Sequence, residues 1–378
     1  MTGSDWQGYR LVPEDVWFFR DGRPSVAGAD HYLRSIFPPF PSTLYGLIRT
    51  QKLFDRDVDL ASLSRARWPS LGEKVRNEVG EWGEYGTLRM RGPWLLDGDE
   101  IRLPAPLDLR LQIDRQSGEE HVETVVRLLP SERKPRARNW SHELTPMEPC
   151  VEKGGRLEEW STPKGKKDPE SSAGWFLTLD GMSTWLAGGI PSTGQFVSSR
   201  QLWTSEVRTG VGLDGNRRQH AEHQLYTFGF IRLHKKVSLG FELSGGTLTA
   251  GKFARFGGEN RAAAIESAPL LSEKVRQMDI SPTQDVGCTA VAVTPALFPS
   301  GSLPHGKSIE SAVVPGAILA GGWDLANDRP KPLQRAVPAG SVYYMKEQPQ
   351  SIIESWPDKT EEGYGLMLIG RQPRRNHG

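Results

Sequence analysis

Apolar residues in this chain come in short alternating runs closed off by glycine and proline, a pattern that leaves little room for long helices. QLYTFGFIRL (Gln224–Leu233) and VSLGFEL (Val237–Leu243) alternate with the two-residue period of a half-buried strand and read as a pair. CTAVAVT (Cys288–Thr294), AILAGGW (Ala317–Trp323), SVYYM (Ser341–Met345) and YGLMLIG (Tyr364–Gly370) supply further strands. Near the start, YRLVPEDVWFF (Tyr9–Phe19) reads as an opening strand interrupted at proline. GTLRMRGPWLL and EIRLPAP flank the turn Asp97-Gly98-Asp99 as a hairpin. Helical spacing is brief. It appears in LYGLIRTQKLF, where Leu44, Leu47, Ile48 and Leu53 share a face and Ser42 or Thr43 is the expected N-cap. Met182–Leu186 and the stretches Ser308–Ala312 and Ile352–Trp356 are weaker helical candidates. With 41 Gly and 28 Pro among 378 residues, turns and long loops are expected in place of a helical bundle.

That length exceeds one ordinary core and suggests two domains. A polar break separates Gly210–Leu213 from Leu225-Tyr226, so the expected units are 1–218 and 219–378. Strands with few helices, twice over, indicate an α+β fold rather than a doubly wound sheet. From about Arg115 to Gly174 the pattern gives way to charge, proline and serine. Here SERKPRARNW sets Arg133, Lys134, Arg136 and Arg138 beside Trp140. A segment of that composition is expected to stay mobile until a partner orders it.

Charge excludes a generic polyanion binder, because 47 Lys and Arg face 46 Asp and Glu for a net charge of +1. Any nucleic-acid surface must come from local segregation. Cys150 and Cys288 are the two cysteines and make no CxxC, which argues against a disulfide framework or a thiolate zinc site. No apolar run approaches the ~18 residues of a membrane span. The opening MTGSDWQGYR lacks a signal-peptide apolar region, so a soluble cytoplasmic protein is expected. The phosphate loop G-x-x-x-x-G-K-[ST], the G-x-S-x-G elbow and H-E-x-x-H are all missing. No catalytic residue, metal or cofactor is therefore expected. His220 and His223 form the one close histidine pair, and would share a face if their segment were helical.

What recurs is arginine beside glycine with aromatics nearby. FFRDGRP carries Arg20 and Arg23, RTGVGLDGNRRQ carries Arg208, Arg217 and Arg218, and KFARFGGENR carries Lys252, Arg255 and Arg261. Guanidinium forks match phosphate geometry, glycine lets backbone approach a ligand, and aromatic faces accept unstacked bases. Each motif alone also fits a turn with surface arginines. Pro41-Ser42-Thr43 opens a helix whose free N–H groups could attract an anion, or be plainly capped. Trp17, Phe18 and Phe19 alternate, so at least one of them belongs to the core.

Phe18-Phe19-Arg20-Asp21-Gly22-Arg23-Pro24, followed by Pro41–Gly46 and Ile48-Arg49-Thr50, closely resembles the opening of the Cmr subunit three family, RAMP proteins of type III-B CRISPR effector complexes. The resemblance continues through Arg91-Gly92-Pro93, Leu103–Asp108, Gly210–Asp214, Leu225-Tyr226, Phe256–Arg261, Thr294–Phe298 and Gly363-Tyr364-Gly365. It implies two ferredoxin-like (RRM-like) βαββαβ domains with long loop insertions. It also implies a non-catalytic subunit that holds the 5′ repeat-derived handle of the crRNA. The implied partners are the large polymerase-like subunit and the neighbouring backbone RAMP subunit, with target RNA met only indirectly. The expected RNA-contacting residues are Phe19, Arg20, Arg23, His31, Ser42, Thr43, Arg49, Arg208, Arg217, Arg218, Lys252, Arg255 and Arg261. Two rivals stand beside this reading: a metal-independent RAMP endoribonuclease using His31 or the His220/His223 pair, and a protein-only adaptor whose arginines bind acidic surfaces.

Overall fold

The opening run QGYRLVP lies inside the largest sheet, not at its rim. A computed structural model describes residues 5–20, 32–60, 63, 65–115, 119–131, 144–153, 156–213, 220–278, 287–324, 329–346, 351–356 and 359–373, without the side chains of 211–226 and 323–324. The eight-stranded sheet runs, edge to edge, through Phe196–Ser198, Trp175–Leu177, Glu100–Pro104, Arg89–Asp97, Val237–Ser244, Gln7–Pro13, Ala262–Ser267 and Phe253–Arg255. Its neighbours pair antiparallel. Alternation sends Tyr9 and Leu11 into a core with Leu239, Phe241 and Leu243. Arg10, on the other face, reaches the Gly98 carbonyl at 2.7 Å.

The helix Pro41–Phe54 links Gln7–Pro13 to Arg89–Asp97, two strands that run the same way with Val237–Ser244 between them. It buries Leu44, Tyr45, Leu47, Ile48 and Leu53, the spacing of one helical face. The expected Ser42 or Thr43 cap is not found. Phe40 holds the N-cap position with no side-chain cap, and Pro41 begins the helix. Proline fits there because its fixed φ suits the first turn and its missing N–H would have had no partner anyway.

A five-stranded sheet near the C-terminus has the order Ile309–Val313, Val342–Met345, Cys288–Ala292, Leu366–Arg371 and Ile353–Ser355. Its first two strands in sequence again run the same way with a third between them, here joined without a helix. The helices expected at Ser308–Ala312 and Ile352–Trp356 are strands of this sheet. Such short stretches cannot sustain a helix, so pairing with a neighbour decides their state. The sheet is covered by helices that precede it in sequence: Leu179–Leu186 brings Met182, Trp185 and Leu186, and Leu271–Arg276 brings Leu271 and Val275.

Strand pairing crosses the expected boundary at 218/219. Trp203–Leu213 and His220–Leu233 form one antiparallel hairpin, and Tyr32–Arg34 joins its second strand in parallel. Val237–Ser244 and Ala262–Ser267 then complete the first sheet. A polar break between two paired strands and a linker look alike in sequence.

The stretch expected to be a mobile insertion supplies four strands of a second five-stranded sheet, ordered Arg156–Glu159, Met147–Lys153, His121–Pro130, Leu109–Asp114 and Glu170–Ser171, with Leu109–Asp114 lying just before it in sequence. The basic run at 133–138 and Trp140 lie outside the described residues. What anchors this sheet is a fully buried ion pair, Arg127 Nε to Asp108 Oδ2 at 2.9 Å. Arg127 also donates to the carbonyls of Trp185 (3.2 Å) and Gly189 (2.8 Å). Trp185 Nε1–H donates to Asp108 Oδ1 at 2.9 Å, and the Tyr344 hydroxyl lies 2.7 Å from Asp108 Oδ2. Burial, reinforced by the Asp108 carboxylate, pushes the Tyr344 phenol well above its ordinary value and keeps it a donor.

Removing one member of a buried pair strands the other's charge, at a cost of about 3–5 kcal/mol. Asp108→Ala should therefore lower the denaturation midpoint sharply. The double variant Asp108→Leu/Arg127→Met should lose much less than the two single changes together. Equilibrium denaturation of Asp108→Ala, Asp108→Leu, Arg127→Met and the double variant checks both statements.

Candidate functional site

Five charged side chains meet at the root of the long hairpin. Register places Glu206 opposite Phe230, with Arg208 and Arg232 two residues along their own strands, so all four share one face. The segment after the opening strand runs alongside, because Trp17 and Ile231 exchange backbone hydrogen bonds of 2.9 and 2.7 Å. This brings up Asp15. Arg208 donates to Glu206 Oε1 (2.7 Å, from Nε) and to Asp15 Oδ2 (3.0 Å). Arg232 donates to Asp15 Oδ1 (2.8 Å) and, by a very short contact, to Glu206 Oε2. Arg261 Nη1 stands 3.7 Å from Asp15. The guanidiniums of Arg208 and Arg261 lie over the Phe230 ring, at 5.3 and 4.7 Å from its centroid.

The guanidinium of Arg208, and after it that of Arg232, holds the Asp15 carboxyl below its ordinary range, with desolvation opposing. Arg232 and then Arg208 do the same for Glu206. Both acids are thus ionised at neutral pH.

The loop that delivers Arg261 closes on Phe18: Gly258 N–H donates to the Phe18 carbonyl at 2.8 Å. Gly257, at φ +82°, comes so near that a Cβ would sit 2.6 Å from that same oxygen. The glycines of this loop serve this close approach within the protein.

Other expected residues are dispersed. Arg20 is exposed at the end of the opening segment and bridges to Ser35, whereas Arg23 and His31 lie outside the described residues, as do Arg217 and Arg218. Ser42 faces Tyr364, with 3.0 Å between the two hydroxyls, and burial pushes the Tyr364 phenol up to about 12. Thr43 sits in the same first turn, half-buried. That helix start packs against the 360–364 segment of the C-terminal unit. Arg49 lies 6.0 Å from the Trp68 ring centroid, and Lys252 pairs with Asp55 at 2.7 Å. Arg255 is exposed on the edge strand Phe253–Arg255. His220 and His223 belong to a strand, so the helical spacing that would have joined them does not apply. Among the described residues no group of three or more His, Cys, Asp or Glu is placed to hold a metal ion. None of the helices described is long and apolar enough to cross a membrane.

Trp17, Phe18 and Phe19 are all buried. Trp17 and Phe19 pack edge-on against Phe256, at 5.1 and 4.9 Å, while Phe18 turns to Phe228 and Phe230 on the other side. Phe19 is thus a core residue as placed. Phe19→Ala should cost about 3–5 kcal/mol of stability, read by denaturation. A change below about 1 kcal/mol would mean that the ring is free to serve as an exposed stacking surface.

The family described as CRISPR-associated protein (Cas_Cmr3) matches residues 9–372. A curated relative, the CRISPR system CMR subunit Cmr3 of Saccharolobus solfataricus, is 24% identical over 181 residues, which cover 44% of this chain and 55% of that protein. The match thus spans about half the length of the curated relative. A chain of the type III-B Cmr-beta complex bound to cognate target RNA and AMPPnP superimposes with a TM-score of 0.48 at 15% identity, covering 89% of this chain and 86% of that one. A chain of the Csm3–Csm4 subcomplex of a type III-A interference complex gives 0.40 at 12% identity, covering 96% and 98%. The family match begins at Tyr9 in the opening strand, includes Asp15 and the whole hairpin, and ends just past the last strand, so the protein belongs to the CRISPR-associated Cmr3 family.

Proposed function

We propose that this chain is a non-catalytic, RNA-binding subunit of a type III-B Cmr interference complex. In this reading it holds the 5′ repeat-derived handle of the crRNA and bridges the large polymerase-like subunit to the backbone RAMP subunits. Family membership supports the assignment to such a complex. The observation that carries the RNA-binding part is the arginine set of Arg208 and Arg232 on one hairpin face with Arg261 of the glycine loop beside them, in a chain of near-zero net charge. Guanidiniums so placed offer fork geometry to backbone phosphates.

We also read the two similar sheets as ferredoxin-like units. In each, the first strand lies between the third and the fourth, with the second beyond the third. The first unit then closes at Ser267 and the second opens at Cys288. In the first unit, the link from Val237–Ser244 to Ala262–Ser267 carries the edge strand Phe253–Arg255 where such units usually have a helix. The hairpin and the five-stranded insertion sheet are additions to this plan.

The test is binding of single-stranded RNA bearing the handle sequence to the purified full-length chain over a range of salt. Arg208→Ala/Arg261→Ala should weaken binding and reduce the slope of log affinity against log salt by about one unit for each phosphate that a removed guanidinium had neutralised. Unchanged affinity and slope would overturn the assignment of this face to RNA.

A further inference from the structure

Arg208, Glu206, Arg232 and Asp15 form a closed ring in which each carboxylate bridges both guanidiniums. We propose that Asp15 and Glu206 are positioning residues, which lock Arg208, Arg232 and Arg261 into one fixed array directed at an RNA backbone phosphate. The proposal rests on the RNA-binding reading given above.

Donor arithmetic supports this role. Each guanidinium has five N–H groups. Arg208 and Arg232 meet the carboxylates through Nε and Nη2, which leaves the Nη1 donors of both outside the ring. Arg261 contributes a further cation beside Asp15, and its Nε is buried with no hydrogen-bond partner among the described residues. The five side chains therefore carry three positive charges and two negative ones, and keep an excess of one. Side-chain exposures of 42% for Arg232 and 36% for Arg208 leave the array open to a ligand.

The ring also ties separate pieces of chain together. Asp15 lies five residues before Arg20 on the opening segment, and Glu206 and Arg208 lie on the hairpin strand Trp203–Leu213. Arg261 ends the loop that closes on Phe18. An ion pair that is exposed contributes little to stability on its own. Its value here is geometric, since each guanidinium is held through Nε and Nη2 by two different carboxylates, which fixes both position and orientation.

The sign of the effect separates positioning from simple charge. Asp15→Asn and Glu206→Gln each remove a negative charge beside the site. Charge alone would then strengthen binding to any RNA. Positioning instead requires weaker binding to the correct RNA despite the more positive surface. The experiment compares the full-length wild type, Asp15→Asn, Glu206→Gln, Asp15→Glu and Arg232→Ala. Two single-stranded probes of equal length are used, one with the repeat-derived handle sequence and one oligouridylate. Amide hydrogen exchange of Trp203–Leu213 is followed in parallel.

Asp15→Asn and Glu206→Gln should lower affinity for the handle probe by about tenfold, leave oligouridylate binding equal or tighter, and speed exchange in the hairpin strand. Asp15→Glu should recover part of the handle affinity. Arg232→Ala should reduce the salt slope by about one unit. Parallel strengthening on both probes, with exchange unchanged, overturns the positioning role. If wild type fails to prefer the handle probe, handle recognition is what fails, and the exchange comparison still decides whether the carboxylates hold the hairpin.

Discussion

The buried Asp108–Arg127 pair is the constraint on which the rest of the molecule hangs. One carboxylate accepts from an arginine of the insertion sheet and an indole of the Leu179–Leu186 helix, and its Oδ2 meets a phenol of the C-terminal sheet. It sits just beyond the strand Glu100–Pro104 of the first sheet, and Leu128 N–H donates back to its own carbonyl at 2.7 Å. Four parts of the fold thus share one buried charge. Such a pair need not add net stability, because desolvating two ions offsets much of their attraction. What it adds is specificity: a misplaced sheet or helix would leave a bare charge inside the protein. That anchor fixes the two main sheets relative to each other with apolar residues from both around it.

The hairpin that carries Arg208 and Arg232 joins the core of the first sheet at its root, through Leu202, Ile231 and Leu233. There Trp17, buried between Ile231 and Phe256, ties the opening segment to both the hairpin and the glycine loop. The same aromatic cluster that closes the core also fixes the spacing of the surface charges. Burial of Phe18 and Phe19 in two different clusters holds the segment before Arg20 from both sides. Motifs that look like ligand-binding aromatics act first as the pegs that hold the cationic face in place.

How much of this was legible in the sequence follows from where each signal resides. The hairpin at Arg89–Pro104 was readable because its turn residues and its alternation lie within one short stretch. The insertion sheet was not, because Arg127 interrupts the apolar pattern at a buried position and is tolerated only through Asp108, far enough away in sequence to hide the pairing. Arg208 and Arg261 were legible as arginines beside glycine and aromatics. Asp15, Glu206 and Arg232 were missed, since Asp15 is far from the others in sequence and is brought beside the hairpin by the Trp17–Ile231 bridge. The i,i+2 spacing of Glu206 with Arg208, and of Phe230 with Arg232, could have flagged one shared strand face. The boundary at 218/219 followed a polar break, and the strands on either side of that break pair with each other. The common connectivity of the two sheets was hidden because its strands are separated by the insertion and the hairpin.

A near-neutral chain that is to hold a polyanion faces a specific difficulty. Three guanidiniums on one face repel one another, by about 1 kcal/mol per pair at close approach in water and more beside low-dielectric protein. Left alone, flexible arginine side chains would relieve that repulsion by spreading into solvent. Any ligand would then have to gather them at an entropic cost. Two carboxylates interleaved among them remove the repulsion in the free protein and hold the forks in place before a phosphate arrives. The arrangement gives up charge, and with it some long-range attraction, in exchange for order. For a subunit whose proposed task is to grip one defined RNA segment, that balance favours geometry over raw charge.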